Sequence, residues 1–246
     1  MDTVKETLFI GATHGDEGFS LDVLKNLELR YSKNIYQYDW IIGNPAALKE
    51  NVRYIQADLN RSAPGNFVSS TYEERRALEI VELSKQYTFA VDLHGSVSEC
   101  GVITIIPYPT LRNILLAAAF PIENNVIWYA KSSLKKGPLV QFAQCAGIEI
   151  ECGPKSSSTI KTELENVLSS FLENGVHMSI DQLINSFEQK SFFNVFGELE
   201  ENGQVYTDFM PVTTPGEKFY PFLSHQYPGI ACYKMSKVRF EDLFLV

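Results

Sequence analysis

The residues that could do chemistry begin near the start of the chain, where a histidine and a glutamate lie three positions apart. The apolar run 7–12 ends in a glycine-rich turn that carries His14 and Glu17 just before an amphipathic helix. A second apolar run, 88–93, ends on His94. A catalytic zinc ion usually takes three protein ligands, among them imidazole and carboxylate groups, and keeps one position open. These three side chains therefore form a candidate metal site.

Each of these residues also has an ordinary structural interpretation. His14 could cap its turn, and Glu17 could decorate the first turn of a helix, because His-x-x-Glu is a common spacing. A second strand that ends in Asp-Leu-His-Gly favours metal binding over that interpretation. The other two histidines, His177 and His225, lie in loop-like sequence and are predicted to be surface residues.

A second polar cluster lies in the loop-like stretch 53–61, which contains Arg53, Asp58, Asn60 and Arg61. Arginine offers a rigid fork of donors that suits carboxylates and a developing oxyanion. The asparagine adds neutral donors beside it. Without further support, such a stretch would be interpreted as a solvated surface loop.

A carboxylate at the end of a third apolar strand could move protons. The run 146–150 leads to Glu151, and a carboxylate within hydrogen-bond reach of a water molecule can act as a general base. Glu149 lies two positions earlier, on the same face of the predicted strand, and is a rival for this role.

Alternating strand-like and helix-like segments predict an α/β fold with a mixed sheet and helices on both faces. Open sheets of this kind bind ligands at the carboxyl ends of their strands, where the candidate residues lie. The predicted strands cover 7–12, 35–42, 88–93, 102–107, 125–129 and 147–152. The predicted helices cover 17–30, 71–86, 110–119, 137–145 and 158–173. The amphipathic helix 71–86 is interpreted as a plain surface helix.

The character of the chain changes near residue 190. Beyond it, short apolar segments alternate with glycine, proline and polar turns, which is typical of strands. The sequence therefore predicts a catalytic domain over 1–188 and a small β-rich C-terminal subdomain over 189–246.

Composition excludes several classes of partner. The chain has 246 residues and a formal net charge of −9, which argues against nucleic acid, because phosphate binding needs clustered lysine and arginine. No apolar run approaches the roughly 20 residues of a membrane span, and the N-terminus lacks the apolar core of a signal peptide. The four cysteines show no Cys-x-x-Cys spacing. A cytoplasmic protein without a membrane or nucleic-acid partner is expected.

Five motifs in order resemble the aspartoacylase/succinylglutamate desuccinylase family, whose members are relatives of zinc carboxypeptidases. They are His-Gly-Asp-Glu at 14–17, Asn-Pro-Ala at 44–46, Arg-Tyr-Ile-x-x-Asp-Leu-Asn-Arg at 53–61, Asp-Leu-His-Gly at 92–95 and Glu-Cys-Gly-Pro at 151–154. The wording at 53–61 resembles aspartoacylase more than the desuccinylases.

The resemblance implies a role for each matched residue. It implies one zinc ion per chain, held by the three candidate ligands, and Glu151 as general base and then general acid. Arg53 would polarise the scissile carbonyl, and Asp58 would orient His14. The substrate-binding residues implied by the family are Asn60, Arg61 and, near the C-terminus, Tyr233.

One family feature is absent. Aspartoacylases carry a further substrate-binding arginine about ten residues before the catalytic glutamate, and the stretch 139–144 contains none. The nearby lysines that could replace it are Lys131, Lys135, Lys136 and Lys155.

The function implied by the resemblance is zinc-dependent hydrolysis of a small anionic N-acyl amino acid of the N-acetylaspartate type. Two alternatives stay open: a metallocarboxypeptidase that acts on peptides, and a non-catalytic relative that keeps a metal or carboxylate site. A homodimer is compatible with the sequence, which does not determine the oligomeric state.

Overall fold

The computed structural model describes residues 5–129 and 135–244, and a single mixed sheet runs through both parts. The strands are β1 Lys5–Gly11, β2 Tyr38–Ile42, β3 Tyr87–Gly95, β4 Gly101–Ile106, β5 Asn124–Ile127, β6 Ala146–Gly153, β7 Ser191–Glu200, β8 Val212–Thr214, β9 Glu217–Phe222 and β10 Ile230–Val238. Their order across the sheet is β2-β1-β3-β6-β4-β5-β7-β10-β9-β8.

Helices cover both faces of this sheet, as the sequence predicts. The helices are α1 Phe19–Arg30, α2 Lys33–Tyr36, α3 Pro45–Glu50, α4 Tyr72–Leu83, α5 Leu111–Ala119, α6 Ser158–Glu173 and α7 Ile180–Glu188. Strand β1 shows why two layers form, because Phe9 faces a core shared with α1, α5 and α6, while Leu8 and Ile10 face a core shared with α4. Parallel strands buried on both sides read as continuous apolar runs.

The carboxyl ends of three parallel strands meet at one edge of the sheet. Strand β3 lies between β1 and β6 and is parallel to both. The Cα atoms of His94 and Glu151 are direct partners across β3 and β6. Strand β4 runs antiparallel to β6 and brings Ile105 opposite Glu149. This register places the candidate site where the sheet changes direction.

Two predicted elements differ from the structure. The segment 137–145 is not an α-helix, because the Gln144 N–H, which a helix would direct to residue 140, donates to Ser84 Oγ instead, while the Leu139 N–H donates to Asn60 Oδ1. Only a 3₁₀ turn remains at Leu139–Gln141. The predicted strand 35–42 begins at residue 38, after the short helix α2.

The C-terminal part is rich in strands, as predicted, and continues the main sheet. Strand β7 pairs in parallel with β5, and β10 pairs with both β7 and β9. The division at residue 189 stays a prediction. None of the helices in residues 5–129 and 135–244 combines the length and apolar character that a membrane crossing needs.

Candidate active site

The turn after β1 brings His14 and Glu17 together. Ala12 has a φ of 52°, in the left-handed region that residues with a Cβ atom seldom adopt. A Cβ atom on Gly15 would lie 2.1 Å from the carbonyl carbon of Ala47, so only glycine allows this close approach to α3. A short 3₁₀ helix then places Glu17 Oε1 2.9 Å from His14 Nδ1.

Strand β3 supplies His94 together with the carboxylate that orients it. Asp92 lies two residues earlier, on the same face, and its Oδ2 atom is 3.0 Å from His94 Nε2. The other oxygen of Asp92 accepts a hydrogen bond from Thr13 Oγ1 at 2.7 Å. The period of two within the motif Asp-Leu-His could have identified Asp92 from the sequence. Its role was not predicted.

Three potential ligand groups converge at the ends of β1 and β3. The Nδ1 atoms of His14 and His94 are 3.3 Å apart, and His94 Nδ1 is 3.2 Å from Glu17 Oε2. The ligand atoms of the three residues all lie within 4.8 Å of one another, and all three residues are buried. Two imidazoles and a carboxylate form a donor set that suits a catalytic zinc ion.

The outer nitrogens of both rings are already held by carboxylates. His14 Nε2 is 3.1 Å from Asp58 Oδ1, and His94 Nε2 is held by Asp92. Metal-binding histidines commonly use their second nitrogen in this way, which fixes the ring and its tautomer. The residues present therefore fit a metal ion bound through the two Nδ1 atoms and Glu17.

Charge keeps two of these carboxylates ionised. Burial disfavours the ionised form of Glu17, but hydrogen bonds and charge from His14 and His94 outweigh it and hold the pKa well below its usual range. Burial also opposes ionisation of Asp58, but His14 and Arg53 lower its pKa in the same way.

A second cluster, Asp92, His94 and Glu149, also brings its potential ligand atoms within 4.8 Å of one another. Its atoms already have partners, because Asp92 binds Thr13 and His94, while Glu149 accepts a 2.6 Å hydrogen bond from Asn60 Nδ2. We interpret this cluster as a hydrogen-bond network that supports the first one.

Arg53 extends into the pocket beside the three ligands. Its Nη2 atom lies 3.1 Å from Asp58 Oδ2, and its Nη1 atom lies 3.8 Å from Glu17 Oε1. Asp58 therefore contacts both His14 and Arg53, so that one carboxylate positions a candidate ligand and a candidate oxyanion donor.

Helix α4 holds the loop that carries Arg53, and the interpretation of this helix as a plain surface helix is wrong. Glu73 is fully buried, and its carboxylate accepts hydrogen bonds from the backbone N–H groups of residues 55, 56 and 57 at 2.8–3.3 Å. Arg76 donates to the carbonyl oxygens of Ile42 and Gly43. A glutamate in the first turn of an amphipathic helix looks solvent-exposed in sequence, so the pattern gave no signal of this role.

Glu149 and Glu151 have different environments although they share one face of β6. Glu149 is bound by Asn60. In residues 5–129 and 135–244, the Glu151 carboxylate forms no hydrogen bond or ion pair and is partly exposed to the pocket. Burial, with the nearby charge of Glu17, raises the pKa of Glu151 to about 8.

One pocket of about 280 Å³ is lined by the three candidate ligands together with Arg53, Glu149 and Glu151. Asn60 is buried in its wall, with Nδ2 bound to Glu149 and Oδ1 accepting from the Leu139 N–H. Arg61 is exposed at the edge of the pocket, and its Nη1 donates to its neighbour's carbonyl oxygen at 2.8 Å.

The structure does not place Tyr233 in this lining, and Tyr227 occupies the wall instead. The Tyr233 ring packs 4.6 Å from Trp128 and 6.0 Å from Tyr227, measured between centroids, so it lies behind two lining residues. Tyr233 is fixed on strand β10, whereas Tyr227 is in the turn before it. The side chains of Leu223 and Gln226, in the same turn, also line the pocket and were not predicted.

The lysines that could replace the absent arginine differ in their position relative to the pocket. Lys136 lines the pocket and is paired with Glu74. Lys155 pairs with Asp16 at 2.9 Å, outside the lining. Lys135 is exposed and does not line the pocket either, while Lys131 lies outside the described residues.

Comparison with known proteins establishes the family. Residues 3–174 match the model of the succinylglutamate desuccinylase/aspartoacylase catalytic domain. A "Probable aspartoacylase" of Prochlorococcus marinus strain MIT 9215 is 32% identical over 200 residues, which cover 75% of this chain and 65% of the relative. The chain belongs to the succinylglutamate desuccinylase/aspartoacylase family, although it matches just under two thirds of that relative's length.

Solved structures share the fold. Murine aminoacylase 3 superposes with a TM-score of 0.72 at 18% identity, covering 97% of each chain. A succinylglutamate desuccinylase/aspartoacylase from Rhodobacter sphaeroides has a TM-score of 0.68 at 14% identity, covering 96% of this chain and 87% of the other. At these identities the likeness concerns architecture alone, and it confirms the predicted fold class.

Proposed function

We propose that this protein uses a bound zinc ion to hydrolyse the amide bond of an N-acyl amino acid, releasing a carboxylate and the free amino acid. The observation that carries the proposal is the meeting of three ligand atoms with Glu151 and Arg53 in one pocket. Amide hydrolysis needs an activated water, a proton carrier and an oxyanion donor. The names of curated relatives, probable aspartoacylases, support an N-acyl amino acid as the substrate.

His14, Glu17 and His94 would hold the zinc ion, with Asp58 and Asp92 fixing the two rings. A zinc ion bound by them supplies Lewis acidity, which makes a water molecule more nucleophilic and polarises an amide carbonyl.

Glu151 is the proposed proton carrier. Its carboxylate lacks a partner among the described residues and is open to the pocket, so it can take a proton from the attacking water and give it to the leaving nitrogen. A pKa of about 8 lies close to neutrality, where a group exchanges protons most effectively, and a cation among the three ligands would lower this pKa. Glu149 is less suited, because Asn60 already occupies its carboxylate.

Arg53 is the proposed oxyanion donor. Its guanidinium lies beside the three ligands and is held by Asp58, so its remaining N–H groups can face a developing negative charge. Loss of one such donor costs about 3 kcal/mol of transition-state stabilisation. Arg61, exposed at the pocket edge, would bind the substrate carboxylate, and the Asn60 amide would line the same side.

The test is release of free amine from N-acyl amino acids by protein loaded with one equivalent of zinc. Activity should disappear with a chelator and return with zinc, and it should be lost in a Glu151→Gln variant that still binds zinc. Blocked dipeptides with a free C-terminus form the second arm. Faster release of C-terminal residues from them than of amine from the acyl amino acids would favour the carboxypeptidase. Tight binding of the acyl amino acids without turnover would favour a non-catalytic protein.

A further inference from the structure

The charges around the pocket limit how many carboxylates a substrate can carry. Arg53 is paired with Asp58 and Glu17, and Lys136 is paired with Glu74. Arg61 donates to a backbone carbonyl and forms no ion pair within the described residues. Among the described cations of the lining, one guanidinium is therefore available, which suits one carboxylate.

A second substrate carboxylate would meet an unfavourable environment. Gln141, ten positions before Glu151, lines the pocket and carries no charge. Glu149, on strand β6, also lines the pocket, and its carboxylate would repel a second substrate carboxylate most strongly where water is scarce. The side of the pocket beyond β6 is therefore poorly suited to an acidic side chain.

That side of the pocket is instead apolar. Ile105 and Pro107, at the end of β4, and Trp128, after β5, face the pocket together with Leu223. Trp128 is packed against Phe222, with ring centroids 5.4 Å apart, as well as against Tyr233. A ring supported on two sides offers a preformed apolar surface, which binds an apolar group at little entropic cost.

Sheet order sets how far this apolar wall lies, across the sheet, from the strand that carries Glu151. Neighbouring strands lie about 4.8 Å apart, and β4 and β5 are the first and second strands beyond β6. The wall thus lies between about 5 Å and about 10 Å from the strand of Glu151, measured across the sheet. A side chain or acyl group the size of a leucine or phenylalanine side chain matches that span.

We propose that the substrate is an N-acyl amino acid that has a single carboxylate and an apolar group, an inference that rests on the proposed function. Arg61 binds the carboxylate. The apolar group packs on the wall formed by Ile105, Pro107, Trp128 and Leu223. The apolar group is either the amino-acid side chain or the acyl chain. N-Acetylaspartate, with two carboxylates and no apolar group, is then a poor substrate.

The experiment compares kcat/KM for five compounds with zinc-loaded protein. N-Acetylglycine reports the chemistry alone. N-Acetylphenylalanine and N-acetylleucine place the apolar group on the side chain, N-hexanoylglycine places it on the acyl chain, and N-acetylaspartate adds the second carboxylate. We expect kcat/KM to be at least about 10-fold higher than for N-acetylaspartate either for N-acetylphenylalanine and N-acetylleucine or for N-hexanoylglycine. A preference for N-acetylaspartate over all of them would overturn the inference.

Two variants locate the effect. Trp128→Ala should lower kcat/KM for the preferred apolar compound about 10- to 100-fold relative to N-acetylglycine. Trp128→Phe, which keeps an aromatic ring, should retain most of the wild-type kcat/KM. Gln141→Arg should raise the ratio of N-acetylaspartate to the apolar compound. Tyr108→Ala, an exposed ring outside the lining, and Gln144→Arg, three positions from Gln141, are the matched controls. Equal effects in variant and control would contradict the assignment of the wall.

Binding separates failure of this inference from failure of the proposed function. Calorimetry on zinc-loaded Glu151→Gln protein should show tighter binding of the apolar compounds than of N-acetylaspartate, even if the wild-type protein hydrolyses none of them. Loss of turnover with this order of binding would overturn only the hydrolase. The reverse order of binding would overturn the inference on specificity.

Discussion

On the β1 and β3 side of the pocket, hydrogen-bonded carboxylates hold the functional side chains, whereas ring packing holds the β4 and β5 side. Asp58 holds His14 and Arg53, and Asp92 holds His94. On the opposite side, Trp128 is fixed by contacts with aromatic rings. We call these the polar side and the apolar side.

The difference determines what each side can tolerate. Buried hydrogen-bond networks are directional, and loss of one partner leaves another charge or donor unsatisfied. Apolar packing accepts substitutions that preserve volume at modest cost. Changes on the apolar side can therefore alter substrate preference while the chemistry of the polar side is kept. The following predictions test this contrast.

The largest effect is expected for Glu151→Gln. Removing the proton carrier should lower kcat by about 10²- to 10⁴-fold, the usual contribution of general acid–base catalysis. Zinc content, measured by atomic emission, should stay at the wild-type level, because Glu151 is outside the three-residue ligand cluster. Retained activity would show that another group moves the proton, with Glu149 the first candidate.

The same glutamate should make the metal-free protein sensitive to pH. Folding raises the pKa of Glu151 from about 4.5 to about 8, so the folded state binds its proton more tightly than the unfolded chain does. The tighter proton binding stabilises the folded state. This stabilisation is fully present below pH 4.5 and is lost as pH rises to 8.

Glu151→Gln should therefore become more stable than wild type with rising pH, by a few kcal/mol at pH 9. Urea unfolding of chelator-treated protein between pH 5 and pH 9 measures the difference. Glu163→Gln, at an exposed helical position, serves as the control and should show no such trend.

Asp92→Asn should weaken metal binding. The substitution preserves volume but removes the charge that orients His94, and losses of such partners commonly cost 10- to 100-fold in metal affinity, roughly. Competition with a zinc chelator measures the affinity. An unchanged dissociation constant would mean that the ring of His94 is positioned by its neighbours alone.

Glu73→Gln should loosen the loop that carries Arg53 and Asp58. One carboxylate oxygen becomes an amide nitrogen that cannot accept from the backbone donors, so we expect kcat to fall by about 10-fold with a smaller change in KM. Glu82→Gln is the matched control, since Glu82 is an exposed residue of the same helix and contacts Lys85 instead. Equal losses in both variants would contradict a positioning role.

The smallest effect is expected for Ile103→Val, in the apolar cluster behind the wall. Ile103 is buried beside Ile105 and Phe222, outside the lining, and deletion of one methyl group should cost about 1 kcal/mol of unfolding free energy. The rate with N-acetylglycine should change far less than in Asp92→Asn. A loss of activity as large as in that variant would remove the contrast between the two sides.

The polar side could be predicted from the sequence to a large extent. His14 and Glu17 share one turn, and His94 and Glu151 each follow an apolar run, so local pattern alone placed them at strand ends. Asp58 was expected beside His14, and the structure places it there. Asp92 carried a usable signal that was missed.

The apolar side could not be predicted in the same way. Its wall combines residues from β4, β5 and the turn after β9, and each of them reads as an ordinary core residue. Tyr233 lies outside the pocket lining whereas Tyr227 is part of it, a difference that depends on how the turn before β10 packs. The predicted helix 137–145 is absent because the distant Ser84 accepts from the Gln144 N–H, a donor that the helix would use.

The sequence by itself determined the alternating strands and helices and the chemical groups at the ends of β1, β3 and β6, because hydrophobic periodicity and adjacent residues encode both. Only the tertiary structure decided that Glu151 is open to the pocket while Glu149 is bound, that Glu73 is buried, and that an apolar wall faces the reacting groups. These properties depend on which distant segments pack together, and burial and hydrogen-bond partners are set by that packing.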